Sequence, residues 1–217
     1  MIVFKNISKR YPDGYVALNN VDLTVQAGEM LFLTGHSGAG KSTLLKLIAA
    51  LERPTSGTIS ISGQNIAQLK PAAIPYLRRK IGFVFQDHKL LFDRTAFENV
   101  LLPLQIANFD SKTVASRVRA ALDKVGLLKK EKSMPIALSG GERQRLCIAR
   151  AVVHRPSILI ADEPTGNLDV EYARDIMAMF TSFNQVGVTV LIATHDASLL
   201  EDTQHRILSL KQGKLAA

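Results

Sequence analysis

The stretch Gly35-His36-Ser37-Gly38-Ala39-Gly40-Lys41-Ser42, followed by Thr43, constrains the fold of this chain more than any other feature. It fits G-x-x-x-x-G-K-[ST] and is preceded by a compact apolar run, Met30 to Thr34. After it, Leu44, Leu45, Leu47, Ile48 and Leu51 recur at helical spacing, so a helix is expected to begin near Lys41. A buried strand that feeds a glycine-rich loop and then a helix turns backbone N–H groups inward around an anion and adds the helix dipole. In that arrangement Lys41 reaches the β- and γ-phosphates of a nucleotide, and the Ser42 hydroxyl can ligate Mg²⁺.

A second apolar run, Ile158-Leu159-Ile160-Ala161, ends in Asp162-Glu163. An apolar strand can carry an acid at its C-terminal edge, where α/β sheets bind ligands. Asp162 is expected to hold Mg²⁺, and Glu163, one residue on, to polarise an attacking water as general base.

Further short apolar runs occur at Thr58 to Ser62, Ile81 to Phe85 and Val188 to Ala193. The N-terminal part alternates apolar and polar residues in short segments, Ile2-Val3-Phe4 and Val21 to Val25, around a Pro12-Asp13-Gly14 turn. From His88 to Val153 the pattern is mostly helical, with Val114, Val118, Leu122 and Val125 at periodic positions, and Arg206 to Leu215 reads as a hairpin. Near-continuous apolar strands alternating with helices predict an α/β fold, a mostly parallel sheet covered on both faces. At 217 residues the chain is expected to form a single domain, 1–217. Its nucleotide-binding core with a β region would span 1–87 and 154–217, and an inserted helical subdomain 88–153.

Composition excludes some classes and leaves others open. No stretch approaches the roughly 18 uninterrupted apolar residues of a membrane span. The opening residues MIVFKNISKR have no apolar core after their basic residues, unlike a secretory leader. The single cysteine, Cys147, cannot form an internal disulfide, which suits a reducing cytoplasm, and it reads as a small buried hydrophobe. The net charge of +8 is scattered, with short clusters only at Arg78-Arg79-Lys80 and Lys129-Lys130. Such a charge fits nucleic acid, an anionic membrane surface or a polyphosphate ligand equally.

Leu138-Ser139-Gly140-Gly141-Glu142-Arg143-Gln144 is the most specific stretch. Ser139-Gly140-Gly141 offers backbone N–H groups and a hydroxyl at what reads as a second anion-binding helix start. One nucleotide rarely needs two phosphate cradles in one chain, so the second is expected to face a nucleotide held by a partner copy. Here the chain resembles the ABC ATPase family, whose signature reads LSGGE or LSGGQ. The resemblance runs through essentially the whole chain in the family's order. It implies a RecA-like P-loop NTPase core with an N-terminal antiparallel β region and an inserted helical subdomain, and two MgATP bound in a head-to-tail homodimer. By the same resemblance Tyr11 stacks on adenine, and residues Gly35, His36, Ser37, Gly38, Ala39, Gly40, Lys41, Ser42 and Thr43 hold the phosphates. Gln86 touches Mg²⁺ and the attacking water, and His195 contacts the γ-phosphate. Ser139, Gly140, Gly141 and Glu142 close on the partner's nucleotide, and Asn167-Leu168-Asp169 crosses the dimer interface. The catalytic set so implied is Glu163, His195, Gln86 and Lys41, with Ser42, Gln86 and Asp162 on the metal. Arg143 departs from the glutamine of many relatives, but it follows the phosphate-contacting residues.

The stretch Ala161 to Asp169 is similar to the branch whose membrane partners carry four transmembrane helices and act by mechanotransmission, which includes lipoprotein-release, macrolide-export and cell-division complexes. Within it, Phe85 to Thr95 and Phe183 to Asp196 resemble the bacterial cell-division ATPases. That resemblance implies a four-span permease-like partner that regulates cell-wall hydrolases, and a peripheral position on the cytoplasmic face of the inner membrane. An ATPase of a lipoprotein-releasing or macrolide-type exporter would differ only in its partner. A nucleic-acid ATPase is disfavoured, because no sustained heptads separate Lys41 from Ser139, and no nucleic-acid partner is expected. A nucleotide-gated scaffold with incidental turnover is a further rival. His88, Leu90, Leu91 and Phe92 could be core of the helical subdomain or the groove for a membrane partner's helix.

Overall fold

The apolar runs become strands of two sheets that share one face of packing. The computed structural model describes residues 1–166, 168–196, 199–200 and 203–216. Its strands are β1 (Ile2–Arg10), β2 (Val16–Val25), β3 (Met30–Thr34), β4 (Ser56–Ile61), β5 (Gln64–Asn65), β6 (Ile81–Val84), β7 (Ile158–Asp162), β8 (Thr189–Ala193), β9 (Arg206–Lys211) and β10 (Lys214–Leu215). The helices are α1 (Lys41–Ile48), α2 (Ile74–Arg78), α3 (Ala96–Ile106), α4 (Ser111–Lys124), α5 (Gly140–Val152) and α6 (Val170–Gln185). None of the described helices is long and apolar enough to cross a membrane.

The larger sheet has the order β10-β9-β3-β8-β7-β6. All its pairings are parallel except that of β10, which folds back on β9 as the expected hairpin. Successive side chains of a strand point to opposite faces, and here both faces are covered. Leu31 and Leu33, Ile158 and Ile160, and Leu191 and Ala193 join one apolar cluster. Met30 and Phe32, Leu159 and Ala161, and Val190 and Ile192 join the other. This double burial is why the runs read as continuous rather than alternating.

The first cluster lies between that sheet and the antiparallel sheet β2-β1-β4-β5, with α1 between them. The antiparallel sheet contributes Ile2, Phe4, Val21, Val25, Ile59 and Ile61. The second cluster joins the far face of the parallel sheet to α3, α4, α5 and α6 through residues such as Val100, Leu122, Leu146 and Phe180. Cys147 is buried in it, and burial pushes its thiol up to about 12, so it packs as a hydrophobe.

Helix starts follow from local capping. Thr95 caps α3 and Ser139 caps α5, each reciprocated by a glutamate three residues on, Glu98 and Glu142. Asp110 and Asp169 cap α4 and α6. The short helix α2 and the long helix α6 had no counterpart in the sequence pattern. In α6 only Ala173, Ile176 and Phe180 are fully buried, a narrow stripe among polar residues.

The segment 91–95 is shaped by one side chain. Asn99, wholly buried, accepts from the Leu91 N–H at 2.9 Å. Its amide donates to the carbonyls of Leu91, Arg94 and Thr95 at 2.9, 3.1 and 3.0 Å. Asn99→Ala leaves these groups without their partner and is expected to lower stability by about 2–3 kcal/mol. Urea unfolding of the ligand-free chain measures this directly.

Candidate active site

Two glycines let the loop between β3 and α1 take its shape. Gly35 has φ 141°, and a Cβ there would lie 2.3 Å from the Leu210 carbonyl oxygen. Gly40 has φ 108°, and a Cβ would lie 2.4 Å from the Ala17 carbonyl oxygen. Any side chain at either position would push the loop off β9 or β2. Gly40 is the N-cap of α1 and supplies no side-chain acceptor, and no acid lies in the first turn. The first N–H groups of α1 are therefore presented with the positive end of the dipole and no competing carboxylate. The β9–β10 turn supports the loop from behind, with the Gly213 N–H donating to the Ala39 carbonyl at 3.1 Å.

A cavity of about 480 Å³ opens over this loop, lined by Tyr15, residues 36–43, Gln86, Glu163 and His195. Strand ends from three parts of the chain converge there: Gln86 just beyond β6, Glu163 beyond β7 and His195 beyond β8. A smaller cavity of about 350 Å³ shares Glu163 and His195 and runs along Thr165, Gly166 and Leu168.

Lys41, Glu163 and His195 form one polar chain across the cavity floor. The buried Lys41 ammonium donates to the Gly35 carbonyl at 2.7 Å and pairs with Glu163 Oε1 at 3.4 Å. Glu163 Oε2 lies 2.8 Å from His195 Nδ1 and accepts from the His195 N–H at 3.2 Å. Glu163 itself sits at φ 52°, a left-handed conformation unusual for a non-glycine residue, which aims its carboxylate back into the cavity.

Asp162, at the end of β7, is buried, and its Oδ1 has no hydrogen-bond partner among the described residues. Burial raises its carboxyl above the usual carboxylate range. A hydrogen bond with Ser42 draws it down, and the charge of Glu163 pushes it up. A buried acceptor without a donor, next to the Ser42 hydroxyl, fits a hard divalent cation. No group of three or more His, Cys, Asp or Glu side chains among the described residues is placed to hold a metal ion by itself. Such a cation would thus have few protein ligands and would take the rest from phosphate and water, as Mg²⁺ does.

Not every expected site residue meets the cavity. Tyr11 is half-buried beside it. The Tyr11 hydroxyl donates to Glu52 Oε1 at 2.8 Å and lies 3.3 Å from Thr43 Oγ1, with the Lys9 ammonium 5.0 Å from its ring centre. The tyrosine among the cavity's lining residues is Tyr15, which sequence reasoning passed over although a second tyrosine in one short turn was visible. Ser139, Gly140, Gly141 and Glu142 stand apart from the cavity, at the start of α5, where Ser139 is exposed and Gly141 buried. There Gly141 packs on Tyr172 of α6, so close that a Cβ would lie 3.2 Å from the ring. The Tyr172 N–H in turn donates to Oδ1 of Asp169, the α6 cap, at 3.0 Å. Asn167 lies outside the described residues.

The sequence profile of the ABC transporter family matches residues 18–166. The chain is 56% identical over 215 residues to a protein of Escherichia coli (strain K12) named cell division ATP-binding protein FtsE, covering 99% of this chain and 97% of that one. It is 43% identical to the protein of the same name from Bacillus subtilis (strain 168), covering 98% and 93%. Among solved structures, a dimeric ATP-binding cassette in a post-hydrolysis state bound to ADP and Pi superposes with a TM-score of 0.92. It shares 36% identity, over 100% of this chain and 97% of that one.

Because the folded state raises the Asp162 pKa, its contribution to stability is present below the ordinary aspartate value and is lost as pH rises through the folded one. Asp162→Asn should therefore raise the thermal midpoint of the ligand-free chain at neutral pH, and the gain should vanish near pH 3, below the ordinary aspartate value of about 3.9. A pH series of melting curves without nucleotide checks it.

Proposed function

The chain belongs to the ABC transporter family, and from that membership we propose that it is the ATP-hydrolysing subunit of a bacterial cell-division complex. The observation that carries the hydrolytic reading is the Lys41–Glu163–His195 chain across the floor of the phosphate-loop cavity. A triphosphate arriving at the α1 N-terminus meets backbone N–H groups and competes for the Lys41 ammonium. Lys41 then turns from Glu163 to the β- and γ-phosphates. Glu163, released from that pair, accepts a proton from a water that attacks the γ-phosphorus, and ADP departs. His195, which Glu163 orients through its ring nitrogen, contacts the γ-phosphate, and Gln86 bounds the water's position. Ser42, Asp162 and Gln86 would hold Mg²⁺, which neutralises phosphate charge when bound. Tyr11, beside the cavity, would meet the base by the family's pattern.

The signature, standing apart from the cavity with Ser139 exposed, supports a homodimer formed on ATP binding. Ser139, Gly140, Gly141 and Glu142 form a capped helix start with no nucleotide of their own to face. Around them Ile136 is 79% and Val170 65% exposed, apolar surface that a second copy would cover. In that arrangement each ATP lies between one copy's phosphate loop and the other's residues 139–142, with Asp169 at the crossing. Residues 88–153 act as the helical subdomain, and the remainder as the nucleotide-binding core. Closing on two ATP and opening after cleavage then moves a partner.

The similarity to cell-division ATP-binding proteins supports an FtsX-like partner, a four-span membrane protein that controls cell-wall hydrolysis. The chain would sit peripherally on the cytoplasmic face of the inner membrane. The segment after Gln86 supplies a docking surface: Leu90 is buried, while Leu91 and Phe92 are 37% and 57% exposed. Two signs of coupling meet there, since the same segment follows a residue of the ATP cavity and is pinned by Asn99.

Glu163→Gln should lower turnover by roughly 10²- to 10⁴-fold, the range of a general base, while ATP binding persists and the dimer accumulates. Phosphate release together with gel filtration in MgATP reads both, and turnover at the normal rate would remove Glu163 from the base role. Leu91→Asp with Phe92→Asp should abolish recruitment to membranes with ATP binding and the melting midpoint kept. Loss of folding would instead return these residues to the core. Recovery of an export permease with tagged Glu163→Gln would keep the mechanism and change the complex.

A further inference from the structure

Tyr15 is bonded to the phosphate loop itself. Its hydroxyl donates to the Gly38 carbonyl at 2.5 Å. Its ring lies nearly parallel to that of Tyr11, at 16° with centroids 6.3 Å apart. The turn that presents it is closed by its own hydrogen bonds. The Tyr11 N–H donates to the Tyr15 carbonyl at 2.8 Å, and the Gly14 N–H to the Tyr11 carbonyl at 3.0 Å. The Tyr15 N–H donates to Asp13 Oδ1 at 3.0 Å. The two tyrosines thus divide the work of one turn. Tyr11 ties the turn to Glu52 and Thr43, and Tyr15, 48% exposed, faces the cavity.

A phosphate loop binds an anion only when its N–H groups point inward, which requires the carbonyls between them to point away. Glycine gives such a loop its shape and also leaves it free to leave that shape. Gly38, at φ 76°, sits in the middle of the loop; a donor fixed on its carbonyl restrains the peptide plane, whose N–H, that of Ala39, donates to the His36 carbonyl at 3.1 Å, so this peptide braces the turn that carries the neighbouring N–H groups. Restraint present before binding lowers the ordering cost at binding. A flat ring parallel to a neighbouring one and standing at the mouth of the same cavity offers stacking surface for a nucleobase.

We propose that Tyr15 is a nucleotide-positioning residue: its hydroxyl braces the turn of the phosphate loop at Gly38, and its ring, at the cavity edge beside Tyr11, offers a stacking surface for the base. This rests on the reading of the cavity as the ATP site. The two parts of the side chain act on two parts of the ligand, which makes them separable.

The experiment titrates MgATP and magnesium tripolyphosphate, which has no base, into the wild type, Tyr15→Phe and Tyr15→Leu by calorimetry, beside melting curves of each ligand-free protein. Tyr15→Phe should weaken both ligands by roughly three- to tenfold, the worth of one hydrogen bond, and raise KM for ATP with kcat kept. Tyr15→Leu should weaken ATP by a further factor of roughly two to ten and tripolyphosphate no further. The ligand-free midpoints should stay at the wild-type value. Wild-type affinity of Tyr15→Phe for both ligands overturns the proposal. So do losses that are equal for both ligands in both variants and track a fallen midpoint, the mark of a purely structural tyrosine. A wild type that binds neither ligand removes the ATP site, and this role with it.

Discussion

The uncapped N-terminus of α1 is the element on which the rest of the structure depends. A helix start leaves several N–H groups without partners, and most helices in this chain answer with a side-chain cap. At α1 the cap is Gly40, which supplies none. The groups remain available to an anion, and the fold is arranged to keep them so. Strand β3 delivers the loop from the middle of the parallel sheet. Close backbone approaches at Leu210 and Ala17 forbid a Cβ at Gly35 and Gly40. Strands β6, β7 and β8 end on the same side, so that Gln86, Asp162, Glu163 and His195 arrive around it although they are far apart in the chain. Lys41 is satisfied by loop carbonyls and by Glu163, so the proposed phosphate ligand and the proposed general base are paired with each other.

Helix α5 links that site to the surface expected to face a second copy. Its first turn is the Ser139–Glu142 capping box. Near its other end, Arg150 donates to the carbonyls of His88 and, at 2.6 Å, Lys89. His88 and Lys89 both hold left-handed backbone conformations, φ 60° and 48°, which side chains other than glycine adopt at a cost of about 1 kcal/mol each. Arg150 and the Cys147 thiol, which also meets the His88 carbonyl, stabilise that turn. The loop that follows Gln86 is therefore anchored to the helix that Ser139 caps.

How much could be read in advance depended on whether the signal was local. Strand β3, the start of α1 and the Arg206 hairpin were legible because periodicity and turn residues report on near neighbours. The double burial of β7 and β8 was legible as unbroken apolar runs. Helix α6 was not, because only a narrow stripe of it is buried and its cap, Asp169, lies in a loop that read as functional. The cluster after Gln86 could not be resolved either: Leu90 and Leu91 are equally apolar, and it is the fold, with Asn99 holding the Leu91 backbone, that turns one in and the other out.

By itself the sequence determined the chemistry available and the order of the parts: a phosphate loop, an acid pair at a strand end, a second helix start of glycines and a histidine after the last apolar run. These depend on residue type and short spacing, which the chain carries in one dimension. Only the tertiary structure decided which residues share the cavity. It placed Tyr15 there and Tyr11 beside it, joined Lys41 to Glu163 and His195, and left Ser139 outside on an exposed helix end. Those outcomes follow from sheet order and from contacts between segments remote in sequence, which no local pattern encodes.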